Sequence, residues 1–179
     1  QQATGAALAE LTTADQARQV LREGANAILY FYCHAISKGI NDVGGPDASA
    51  LLFTGFQAVT LGDLRLTAPV KKPLSGAPLI FINACESAQL SPLFYDGFVP
   101  YFIARGARGV IGTECQIPAV FADEFGRRFF DRFLCGEPLG QSFLDLRREF
   151  LDRHNNPLGL LYALYSDGDT LVAPPLVLG

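Results

Sequence analysis

The apolar residues of this chain gather in short continuous runs at 27–32 (AILYFY), 78–83 (PLIFIN) and 108–113 (RGVIGT). Runs of that kind suit strands covered on both faces, as in a parallel sheet, because strict alternation marks a strand with one wet face. Between the runs the pattern is helical. Residues 15–22 predict the end of an amphipathic helix, with Thr12 or Thr13 as its cap and Gly24 as its stop. Residues 36–48, rich in Gly, Asn and Asp, predict a loop. Short strands at 51–53 and 58–61 around Gly55 suggest a small hairpin, followed by a helical turn at 63–66. Asp96 is placed to cap a helix running to Arg105, with Gly106 at its end. Pro118 opens a long amphipathic helix to about Leu134, and a further helix spans 139–153 before the polar stop His154-Asn155-Asn156-Pro157. Residues 158–165 and 170–173 predict closing strands around the turn 166–169. Alternating strands and helices predict one α/β domain over 1–179, with a mainly parallel sheet and helices on both faces.

Composition narrows the function classes. A chain of 179 residues with 49% hydrophobic residues can bury a substantial core. Its net charge is −4 and it has no Lys/Arg block, which argues against nucleic acid, since phosphate binding needs clustered cations. The longest apolar runs fall far short of the roughly 20 residues of a membrane span. No signal-peptide pattern opens the chain. It begins at Gln1 and has no methionine, which reads as a piece of something longer. The four cysteines, Cys33, Cys85, Cys115 and Cys135, form no CxxC pair, so neither a disulfide framework nor a zinc site is expected. Free thiols fit a reducing, cytoplasmic setting.

Candidate chemistry centres on two residues. In open α/β sheets functional groups collect beyond the carboxyl ends of the strands. His34, one of only two histidines, follows the first apolar strand, and Cys85 follows the second by two residues. If those strands are neighbours, both side chains reach one crevice. A nearby imidazole can ionise the thiol and later protonate a leaving amine. No metal or organic cofactor is needed. The competing reading is a packed cysteine and a structural histidine.

The words YFYCHA, FINACES and YFIARGARGVIGTECQIP, in that order, resemble the CHAT domains, a bacterial branch of the caspase–separase–gingipain clan of cysteine peptidases. DEFGRRFFDRF, LDLRREFL and NNPLGLLYALYSDGDTLV also resemble that family, so the likeness covers roughly 15–172. It implies a caspase-like three-layer sandwich and a cysteine endopeptidase acting on proteins through an acyl-enzyme. His34 would be the general base and Cys85 the nucleophile, with the backbone N–H groups of Ala35 and Cys85 as the oxyanion hole. Ala35 stands where the family usually has glycine, and its methyl could crowd a substrate.

For the substrate pocket the likeness points to the residues after the third core strand, hence Glu114 and Gln116, with Asp42 as a further carboxylate. It also implies two strands and a helix ahead of the His34 strand, where only about 25 residues stand here. Missing N-terminal strands, supplied by another chain or a fused regulatory module, or self-association, are therefore expected. A catalytically silent scaffold domain is the alternative in a different class. A small-molecule thiol hydrolase is a third reading. Among the remaining residues, Cys33 should pack in the core opposite His34 by strand alternation, and Cys115 should form wall or packing. Cys135 reads as structural, His154 as a helix stop, and the pairs Arg127-Arg128 and Arg147-Arg148 as solvated faces.

Overall fold

The computed structural model describes residues 9–84, 93–113, 115 and 117–172. Helix α1 (Ala14–Glu23) begins at Thr13, which forms a capping box with Gln16. It stops at Gly24, where φ is 64° and an added Cβ would lie 2.8 Å from the Leu74 backbone. Only glycine satisfies both conditions. Strand β1 (Ile28–Ile36) follows, then the hairpin of β2 (Ala50–Leu52) and β3 (Ala58–Thr60) and the short helix α2 (Leu61–Thr67). Next come β4 (Leu79–Ala84), α3 (Leu93–Ala104), β5 (Gly109–Thr113), α4 (Ala119–Phe133), α5 (Leu139–His154) and β6 (Tyr162–Ser166).

The six strands of the described residues form one sheet in the order β3-β2-β1-β4-β5-β6. Its centre is parallel: β1 pairs with β4, and β4 with β5, in the same direction. The hairpin and β6 complete it with antiparallel pairings. One apolar layer packs α1, α2 and α3 against Leu29, Phe31, Ile80, Ile82 and Val110. The other packs α4 and α5 against Leu79, Phe81, Ile111 and Tyr162. This is a caspase-like three-layer α/β sandwich. The second layer is rich in rings: Phe121, Phe125, Phe129 and Phe133 descend α4 at every fourth position and are all buried. Each such ring stabilises the fold by roughly 1.5–3 kcal/mol through burial alone.

Several elements differ from the sequence expectation. β1 runs on past Tyr32 to Ile36, because the returning β2 pairs with His34, Ala35 and Ile36 and keeps the chain extended. Residues 158–161 are not strand. Pro157 and the Asn156 side chain, which accepts the Leu158 N–H at 3.0 Å, start a 3-10 turn over Pro157–Leu161, and the strand begins only at Tyr162. Residues 170–172 carry no strand pairing either, and 173 lies outside the described residues. Asp96 lies inside α3 rather than at its start.

At the end of α3, Arg105 is fully buried. Its Nε donates to the Lys72 carbonyl at 2.8 Å and its Nη1 to the Leu21 carbonyl at 2.6 Å. Leu21 lies in the last turn of α1, where the helix dipole favours a cation. The same guanidinium lies 5.9 Å from the Tyr101 ring centroid. Burial raises the Tyr101 hydroxyl above its ordinary pKa, against the opposing pull of Arg105.

Candidate active site

Because β1, β4 and β5 are parallel, their carboxyl ends meet at one rim of the sheet, at Ile36, Ala84 and Thr113. His34 lies at that rim. It is exposed, and it sits within β1 rather than after it, paired with Leu52. Its face follows from strand alternation. Tyr32, two residues earlier, donates its hydroxyl to the Ala119 carbonyl at the start of α4, so His34 shares the α4 side of the sheet.

Cys33 takes the opposite side and packs against the layer of α1 and α3, as alternation requires. Ala35 does the same. It is fully buried in that layer, and it is absent from the residues with positive φ. Its methyl therefore points away from the face that carries His34, and the backbone there needs no glycine.

On β4 the register with β1 runs from Leu79 opposite Ile28 to Ala84 opposite Cys33. Cys85, Glu114 and Gln116 lie outside the described residues. Asp42 is exposed in the loop after β1, where its carboxylate accepts the Gly39 N–H at 2.7 Å. Cys115, two residues past β5, is half-buried at the same rim. Among the described residues no group of three His, Cys, Asp or Glu side chains could hold a metal, and no helix is long and apolar enough to cross a membrane.

The floor beneath this rim is polar. Tyr32 stands opposite Asn83, and Thr113 stands opposite Tyr162. Asn83 is fully buried and hydrogen-bonded to Tyr30, Ala122 and Tyr162. Nothing in the sequence pattern singles Asn83 out beyond an amide closing an otherwise apolar strand.

The other residues singled out from the sequence sit on or beside α4 and α5. Exposed His154 ends α5, where Asn155 takes the left-handed conformation with φ 49°. Cys135 is exposed just past α4. Arg127 is solvated, but Arg128 is not merely a surface cation. It reaches both Glu124 on its own helix and Glu149 on α5, and Arg132 also meets Glu149, so this network joins the two helices. Arg128 is the largest reason that the Glu124 carboxyl is held below its usual range. Arg147 lies over the Phe143 ring and donates to the Leu160 carbonyl.

An α/β sheet with a parallel centre and a histidine at its carboxyl rim defines a class, and comparison with known proteins defines the family. The CHAT domain family model matches residues 2–158. The chain belongs to the CHAT domain family. It is also 34% identical over 154 residues to a probable protease of Vitiosangium sp. (strain GDMCC 1.1324). That alignment covers 83% of this chain and 19% of the relative, so the chain spans about a fifth of that protein's length.

Proposed function

We propose that this domain is a cysteine endopeptidase in which Cys85 is the nucleophile and His34 the general base. His34 takes the thiol proton, and the sulfur attacks the carbonyl carbon of a peptide bond. As that bond breaks, the imidazolium returns the proton to the departing amine. Water, giving a proton to His34, then attacks the thioester; the C–S bond breaks, the proton returns to the Cys85 sulfur, and the acid product leaves. The N–H groups of Ala35 and Cys85 hold the oxyanion in both halves.

The observation that supports this reading most is the register. Ala84, which Cys85 follows directly in the chain, stands opposite Cys33, the neighbour of exposed His34. Membership of the CHAT family and the likeness to a probable protease point the same way. Burial of the Ala35 methyl on the far face supports it too, since the alanine leaves room for substrate. Asp42, Glu114 and Gln116 are the candidates for the pocket that receives the side chain before the cut.

The relative is about five times longer than the matched segment, which supports a fused or partner module that governs access to the site. An electrophilic peptide ketone, applied to the intact parent protein, tests the proposal. It should label Cys85 in the wild type and not in His34→Ala. Absence of labelling in the wild type would leave a scaffold domain.

A further inference from the structure

Asn83 is the one polar side chain in the buried run Leu79, Ile80, Phe81, Ile82, Asn83, and it is fully satisfied. Its Nδ2 donates to the Tyr30 hydroxyl at 2.7 Å and to the Ala122 carbonyl at 2.6 Å. Its Oδ1 accepts the Tyr162 hydroxyl at 2.7 Å. A carbonyl can only accept, so Ala122 fixes which end of the amide is the nitrogen and makes Tyr162 the donor to the other end. One side chain thus joins β4 to β1, α4 and β6.

A second feature of the sequence serves the same contact. Gly126 lies inside α4, where glycine costs helix stability. A Cβ there would meet the Tyr30 hydroxyl at 2.6 Å and Asn83 Nδ2 at 3.2 Å. The helix therefore carries its glycine where it closes over the Tyr30–Asn83 pair.

The backbone ladder already fixes the register of β4 on β1; an apolar side chain of similar size would fill this volume, but it would not fix how α4 and β6 seat on the end of β4. Directional bonds do. Tyr30 stands four residues before His34 on β1, and Asn83, on β4, stands two residues before Cys85 in the chain. We infer that Asn83 is a positioning residue: through Tyr30, Ala122 and Tyr162 it holds the end of β4, from which the chain leads on to Cys85, against β1, α4 and β6. The inference rests on the dyad reading above.

The test alkylates the intact parent protein with iodoacetamide between about pH 5 and 9 and follows Cys85 by mass spectrometry. Asn83→Leu should slow the reaction about tenfold, the scale of a small misplacement of reacting groups. It should also move the inflection of the rate upward, towards the ordinary thiol value of about 8.5. Tyr162→Phe keeps the ring and removes one donor. It should act in the same direction by about threefold, and it decides the question if Asn83→Leu does not fold. A folded Tyr162→Phe or Asn83→Leu protein with wild-type rate and inflection would overturn the positioning role while leaving the dyad in place. If wild-type Cys85 reacts like an unfolded peptide thiol, and His34→Ala changes nothing, the dyad itself fails and this inference with it.

Discussion

Cys33 and Ala84 are the last paired residues of the parallel ladder between β1 and β4. Each is followed in the chain by one member of the proposed dyad. His34 continues β1 on the face that meets α4, and Asn83, two residues before Cys85, is fastened to the first turns of that same helix through the Ala122 carbonyl. The site is thus held by the sheet register and by one amide beneath it, and the consequences can be checked residue by residue.

Ala35→Gly tests whether alanine impairs the site. The methyl is buried among the residues of the α1 and α3 layer, so its loss should cost about 1 kcal/mol in chemical unfolding. Labelling of Cys85 by the peptide ketone should stay within about twofold of wild type, because the methyl points away from substrate. A large gain in labelling would show that the methyl obstructs the site.

Gly126→Ala should destabilise the protein by about 1–3 kcal/mol, although alanine is the better helix former, because its Cβ would collide with the Tyr30 hydroxyl. Tyr30→Phe removes the nearest atom. The double variant should therefore be more stable than the sum of the two single changes predicts, a coupling that a double-mutant cycle in urea measures. Additive effects would contradict the packing described.

Arg105→Met should lower stability by about 2–4 kcal/mol, since it leaves the Leu21 and Lys72 carbonyls without their buried donor. In a domain of this size each kcal/mol shifts the thermal midpoint by about 2–4 °C. Arg105→Lys should not restore it, because one ammonium cannot span both acceptors as the guanidinium fork does. An unchanged midpoint in Arg105→Met would refute the clamp.

Glu124 sets a pH dependence. Its carboxyl, hydrogen-bonded by Arg128, is held below the ordinary value, so it contributes stability above the unfolded-state pKa. That contribution disappears as pH falls through the lower, folded-state value. Glu124→Gln should therefore weaken the fold at neutral pH by less than about 1 kcal/mol, because the pair, although partly covered, is still screened by solvent. Wild type and variant should converge in thermal melts as the pH falls below the ordinary carboxylate range. A gap that widens on acidification would reverse the assigned sign.

The central strands and the two long helices were legible because their signals are local: continuous apolar runs for β1, β4 and β5, and fourfold-spaced phenylalanines for α4. The capping box at Thr13 was half visible, since either threonine could serve until Gln16 chose one. What could not be read depended on distant partners. β1 outlasts its apolar run because β2 returns to pair with it. Residues 158–161 look like strand by composition, yet Pro157 and Asn156 turn them into a 3-10 segment. Arg105 resembles any surface cation at a helix end until α1 and the 72–74 segment close around it. His34 could be placed at the sheet's rim from sequence, whereas the amide below it could not, because Tyr30, Ala122 and Tyr162 converge on Asn83 only in the folded chain.

The most direct test is a crystal structure of the parent protein trapped with the peptide ketone, in which the gap between the His34 ring nitrogens and the Cys85 sulfur is measured. The account predicts a separation of about 3–4 Å on the α4 side of the sheet, with the adduct's oxygen facing the Ala35 and Cys85 amides. Side chains on opposite faces of the sheet, or an adduct on Cys33 or Cys115 instead, would contradict it.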